Sequence, residues 1–141
     1  MTQPQTLPVP FYVLCGSLGA GKTTLLMRLL EFWNSQGHKV GVLMNEAGEV
    51  SIDGPRAGTI AEQVLNLAGG CICCDTKDDL AWSITQLVQD YRSTVIVLEC
   101  SGMADPAEVV DAVTDAYVSR IAKLERILAM LHPVPLPDSG M

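Results

Sequence analysis

Gly16-Ser17-Leu18-Gly19-Ala20-Gly21-Lys22-Thr23 fits the pattern G-x-x-x-x-G-K-[ST], and the reading of this stretch decides the fold. Its glycines let consecutive backbone N–H groups turn inward around a β-phosphate, where a side chain would collide. Lys22 is placed to reach the β- and γ-phosphates as a point charge, and the Thr23 hydroxyl to ligate Mg²⁺. A helix beginning here adds the partial positive charge of its N-terminus. The plainer alternative is a glycine-rich turn that holds nothing. With glycine at about 7% of residues, the fixed positions match by accident in roughly one such chain in a few hundred. Context separates the two readings. The stretch lies between an apolar run, Phe11 to Cys15, and an amphipathic segment, Lys22 to Gln36, as a strand–loop–helix unit requires.

Working outward, Leu25, Leu26, Leu29, Leu30 and Trp33 fall at helical spacing, and Gly37 supplies a stop. Lys39 to Met44 reads as a second strand. Thr94 to Leu98 is continuous and β-branched, as a buried parallel strand should be. Between them, Asn45 to Gly58 reads as a functional loop with a short strand at Val50 to Ile52. Ile60 to Leu67 reads as a short helix followed by a strand at Val64 to Leu67. Gly69-Gly70 breaks the chain before Cys71-Ile72-Cys73-Cys74. Thr76 with Asp79 resembles a capping box, and Leu80, Ile84, Leu87, Val88 and Tyr91 form one helical face. Asp105 and Pro106 open a further helix. Its apolar face runs through Val110, Val113, Tyr117, Ile121, Leu124, Leu128 and Leu131 at steps of three and four, until His132-Pro133 ends it. Strands alternating with helices predict an α/β, three-layer P-loop fold with a mostly parallel sheet and right-handed crossovers, incomplete on its C-terminal side.

The expected organisation is a flexible arm over 1–10, a partial nucleotide-binding domain over 11–131 and a flexible tail over 132–141. A chain of 141 residues, 48% hydrophobic, suffices for one domain with a core. The net charge of −7 argues against a nucleic-acid surface, which needs clustered cations. It leaves nucleotide binding open, because such a loop holds phosphate with backbone N–H groups and one lysine. No run of 18 apolar residues occurs, so no membrane span is expected, and the N-terminus does not read as a signal peptide. Five cysteines without an export signal point to thiols in a reducing, cytoplasmic compartment.

Two further clusters carry chemistry. Glu99 follows the Val95–Leu98 run, and an acidic residue at such a strand end faces Mg²⁺ or its waters. Gly102 beyond it can bring a backbone N–H close to a γ-phosphate. Alternatively, Glu99 merely caps a loop at the sheet edge. Cys100 reads as a small buried neighbour rather than a ligand. Cys71, Cys73 and Cys74 place three thiols in four residues, suiting Zn²⁺, Cu(I) or Co²⁺. A fourth ligand could come from Glu46, Glu49 or Asp53, from water or from a partner, and an open shell suits a site that gives its metal away. Against this stand a buried apolar stretch that uses cysteine, or a redox pair. His38 and His132 read as solvated.

Taken together, GSLGAGKTT (Gly16 to Thr24), NEAGEVSIDG (Asn45 to Gly54), GGCICC (Gly69 to Cys74) and ECSGMADP (Glu99 to Pro106) resemble the CobW-like family of metal-associated P-loop GTPases, over roughly Tyr12 to Val113. The cysteine block and the last block are considerably more specific than the first. The resemblance implies GTP hydrolysis coupled to handling of zinc or cobalt, with a metal-receiving client protein as partner. Carried over by position, Gly16, Gly19, Ala20, Gly21, Lys22, Thr23, Thr24 and Gly102 would bind GTP, with Thr23 and Glu99 on Mg²⁺. Lys22 and Glu99 would be the catalytic pair. Cys71, Cys73 and Cys74 would hold the transition metal, completed by Glu46 or Glu49. Ala47 stands where the family pattern has an aromatic residue.

Family members run well beyond this length, with further strands, a guanine-reading motif and a C-terminal domain that do not appear here. No strand comparable to the family's next one is expected after the helix begun at Pro106, which would leave an exposed sheet edge open to self-association. Three readings follow: a GTP-dependent metallochaperone, a P-loop small-molecule kinase with structural cysteines, and a non-catalytic metal- or partner-binding module.

Overall fold

The computed structural model describes residues 2–16, 21–45, 67–74, 77–100 and 106–130. Strand β1 (Val9–Gly16) leads to helix α1 (Lys22–Ser35), then β2 (Val40–Asn45) and β3 (Gly70–Cys74). Helix α2 (Lys77–Gln89), β4 (Val95–Glu99), α3 (Pro106–Val113), a 3-10 turn (Val118–Arg120) and β5 (Ala122–Met130) follow. Among the described residues the strands form one parallel sheet in the order β3-β2-β4-β1-β5.

Helices cover both faces, so the strands at the centre must be apolar on both sides. Leu26, Leu30 and Trp33 of α1 pack on Leu14, Val40, Val42, Met44, Val95 and Val97. On the other face Leu80, Ile84, Leu87 and Val88 of α2, with Val109 and Val113 of α3, meet Phe11, Val13, Leu43, Ile96 and Leu98. Alternation along each strand assigns its residues to these two clusters. Because the sheet is parallel, the C-terminal ends of all its strands lie on one side, where Gly16, Asn45, Cys74, Glu99 and Met130 fall.

The opposite end is tied down by polar groups. Gln5 Nε2 donates to the carbonyls of Val88 and Ser93 at 2.8 and 2.9 Å, and Gln3 N–H donates to Gly37 at 2.9 Å. Strand β1 starts at Val9, two residues inside the segment read as an arm. No helix among the described residues is long and apolar enough to cross a membrane.

Three local expectations are corrected. The helix read through Leu131 stops at Val113, and Ala122–Met130 is a strand paired with β1. The expectation of no comparable strand after α3 falls with it. The cause is an irregularity in pairing: Phe11 is level with Leu124 but Tyr12 with Arg126, so Glu125 is an extra residue. Leu124 and Ile127 thereby become partners of Phe11 and Val13, two residues on the same strand face, although they stand three apart. A bulged strand thus imitates helical spacing, and its Ala, Leu, Glu, Arg and Met residues also favour helix. Next, Leu67 is helical rather than the end of a strand, and the rest of Val64–Leu67 lies outside the described residues. Finally, Gly70 opens β3 instead of breaking the chain before the cysteines. The loop strand at Val50–Ile52 also lies outside the described residues.

Candidate functional site

Gly16 ends β1 with φ +146°, and a Cβ built on it would lie 2.3 Å from the carbonyl oxygen of Met130. Only glycine lets the loop leave the sheet this close to β5. Gly21 re-enters regular structure as the N-cap of α1 with φ +93°, in the left-handed region, and its carbonyl accepts from Leu25 N–H at 3.0 Å. The first turn of α1 has neither a side-chain cap nor an acidic residue. Its N–H donors therefore present the positive end of the helix to an anion.

Lys22 is buried, 5% exposed, and its Nζ donates to the Cys100 carbonyl at 2.5 Å. Cys100 N–H in turn donates to the Leu14 carbonyl at 2.8 Å, extending the β1–β4 ladder one residue past Glu99. The lysine ammonium is thus held at the junction of two central strands, beside the half-buried Glu99. Thr23 is half-buried and Thr24 exposed on the same helical turn.

Register carries the site across the sheet. Cys73, Met44, Glu99, Leu14 and Leu128 share one row, contributed by β3, β2, β4, β1 and β5. Cys71 is level with Val42, and Cys74 with Asn45. The cysteine block therefore ends beside β2, two strands from Glu99, and the phosphate loop leaves from the next strand. With about 4.8 Å between strands, the Cys73 and Glu99 backbones are separated by roughly 10 Å.

The structure thus brings together Gly16, Gly21, Lys22, Thr23, Glu99 and the backbone of Cys71–Cys74. Gly19, Ala20, Glu46, Glu49, Asp53, Gly102 and His132 lie outside the described residues. His38 sits at the other end of the sheet, half-buried, with Nδ1 2.9 Å from Thr94 Oγ1. Two participants were not legible beforehand. One is the Cys100 carbonyl, whose role depends on backbone direction. The other is Met130, whose carbonyl closes on Gly16 and whose Cε lies 3.6 Å from a Cβ built on Gly21. A signal for Met130 would have been the β5 register, hidden by its bulge.

A glycine-framed loop at a helix N-terminus, with a buried lysine and an acidic strand end on a parallel sheet, defines a P-loop nucleotide-binding fold. The crystal structure of FlhF complexed with GMPPNP/Mg(2+) superposes with a TM-score of 0.56 at 18% identity, over 91% of this chain and 46% of that one. The model of the "CobW/HypB/UreG, nucleotide-binding domain" family matches residues 10–136, and the chain belongs to that family. The zinc chaperone YjiA of Escherichia coli (strain K12) is 40% identical over 108 residues, 73% of this chain and 33% of the relative. The zinc chaperone CobW of Sinorhizobium sp is 34% identical over 111 residues, 74% and 31% of the two chains. The chain spans about a third of the length of these curated relatives.

Proposed function

We propose that this chain binds GTP with Mg²⁺ and couples nucleotide state to a transition metal, zinc or cobalt, held at Cys71, Cys73 and Cys74 for delivery to a client protein. The observation that carries the reading is the shared end of the sheet. Gly16, Asn45, Cys74 and Glu99 end four adjacent parallel strands, so their ligands share one end of the sheet, within about 14 Å.

In this reading the backbone N–H groups from Gly16 to Thr24 cradle the phosphates. Lys22, now on the Cys100 carbonyl, moves its ammonium to the β- and γ-phosphates. The residues fit magnesium, since a hydroxyl and a carboxylate suit a hard cation: Thr23 and Glu99 would hold it, Glu99 directly or through water. Bound there, the ion neutralises charge developing on the transferred phosphoryl group. Glu46 or Glu49 completes the thiolate set on the metal cargo. The Asn45–Gly54 loop follows β2, which pairs with β3 on one side and β4 on the other. A nucleotide-dependent change in the Asn45–Gly54 segment would therefore reach the metal shell as well, a switch between two states.

A cytoplasmic location agrees with this chemistry, because thiolate ligands must remain reduced. Self-association through β5 belongs to the same reading, supported by the 42% exposure of Ile127 on that strand. Calorimetry with GTP, GDP and ATP in Mg²⁺ tests the nucleotide part. Guanine nucleotides should bind and ATP should not. Tighter binding of ATP, or a phosphorylated small-molecule product, would replace this reading with a kinase.

A further inference from the structure

Cys15 and Cys100 lie on adjacent strands, one residue beyond the paired Leu14 and Glu99, and neither is in a disulfide. The ladder continues to this point, since Cys100 N–H donates to Leu14 O. Both side chains also fall on the same side of the sheet. Phe11, Val13 and Cys15 pack in one cluster with Ile96, Leu98 and Cys100, while Leu14 and Val97 pack in the other. The two residues are therefore direct cross-strand neighbours.

We propose that Cys15 and Cys100 form a reversible disulfide that gates the phosphate loop. Backbones of paired strands stand about 4.8 Å apart, within the Cα separations of 4.4–6.8 Å that a disulfide spans. Its Cβ atoms must approach to about 3.5–4.5 Å, so closure draws the strand ends together by roughly half an ångström to an ångström. Moving Cys15 toward β4 would pull it from its pairing with Ala129 on β5, whereas Cys100 lies past Glu99, the last paired residue of β4. Cys100 moves instead, and its carbonyl is the group that holds the Lys22 ammonium. Cys74 belongs to the same register row but stands on β3, about 10 Å from Cys100, too far for that pairing.

The pair is enclosed, with Cys15 9% and Cys100 0% exposed, so the oxidant must be as small as a hydroperoxide. Cys15 Sγ gives up its proton and attacks hydrogen peroxide; the O–O bond breaks, leaving Cys15 sulfenic acid and a hydroxide that takes up that proton to become water. The Cys100 sulfur then attacks the Cys15 sulfur, an S–S bond forms, and the S–O bond breaks with loss of a second water. Two thiols give up two electrons and two protons, and peroxide becomes two waters.

The gate rests on the nucleotide-binding reading, whereas the disulfide does not. The test oxidises the reduced full chain with hydrogen peroxide, maps disulfides by mass spectrometry of peptides, and titrates GTP before and after. A Cys15–Cys100 cross-linked peptide is expected, with GTP affinity at least tenfold weaker and restored by a thiol reductant. Cys15→Ala and Cys100→Ala, each retaining Cys71, Cys73 and Cys74, should keep their starting affinity after the same treatment. Absence of the cross-linked peptide, or equal loss of affinity in both variants, overturns the proposal. A reduced chain that binds no GTP overturns the gate together with the reading it rests on, while the peptide map still decides the disulfide.

Discussion

The Lys22 ammonium lies 2.5 Å from the carbonyl oxygen of Cys100, joining the first turn of α1 to the end of β4 across 78 positions of sequence. The contact holds the one cation of the phosphate loop next to the strand end that carries Glu99. Replacing Lys22 by Met keeps the aliphatic stem and removes the charge. Hydrogen bonds to charged groups contribute about 1.5–3 kcal/mol, so GTP affinity should fall by roughly ten- to a hundredfold. Calorimetry measures the loss, and circular dichroism should show the fold retained. Unchanged affinity would remove Lys22 from the nucleotide site.

Gly16→Ala should destabilise the fold. The new Cβ would lie 2.3 Å from Met130 O, and φ +146° is a conformation that side-chain-bearing residues rarely adopt. Strain of this kind costs about 1–3 kcal/mol. Urea unfolding with an unchanged midpoint would contradict the docking of β5 against the loop.

Legibility followed the locality of the signals. Gly16, Gly21 and Lys22 were legible as the frame of the strand-to-helix turn because that geometry is dictated within eight residues. The boundaries of α1, β2 and β4 were legible to within one residue because each is a continuous periodic run. β5 was not, because its bulge is defined by β1, more than a hundred positions away. Helix-favouring residues at three- and four-residue steps outweighed a pairing that the local sequence does not record. The Gly69-Gly70 dipeptide misled in a related way. Gly70 packs under the Tyr91 ring and Leu87, with 2.8 Å from a built Cβ to Tyr91 Cγ, so its small size serves packing within a strand. Within the site, the thiols were legible as a group, but their place beside β2 depends on sheet order.

At the other end of the sheet, Thr94 Oγ1 accepts from Lys39 N–H at 2.9 Å and lies 2.9 Å from His38 Nδ1. Thr94→Val keeps the shape, removes the hydroxyl and leaves the Lys39 N–H to find another acceptor. Losing these bonds should cost about 1–2 kcal/mol in urea unfolding, with GTP affinity unchanged. A selective effect on GTP affinity would contradict the separation of this end from the nucleotide site.

Cys73 shares its register row with Glu99, and zinc stoichiometry tests its proposed place in a metal shell. Cys73→Ser replaces a soft thiolate with a hydroxyl, a poor zinc ligand at neutral pH. Zinc bound per chain after equilibrium dialysis should fall well below the wild-type value. Unchanged stoichiometry would reject the cysteine block as the metal site.

Coupling between the cysteine block and the nucleotide site is the centre of the account, and zinc affinity in the two nucleotide states tests it most directly. The reduced chain is saturated with Mg²⁺ and either GDP or a non-hydrolysable GTP analogue, then titrated with zinc against a competing chelator. A coupling of 1–3 kcal/mol corresponds to affinities that differ by roughly five- to 150-fold, and a difference of that order is expected. Equal zinc affinities in the two states would contradict the switch.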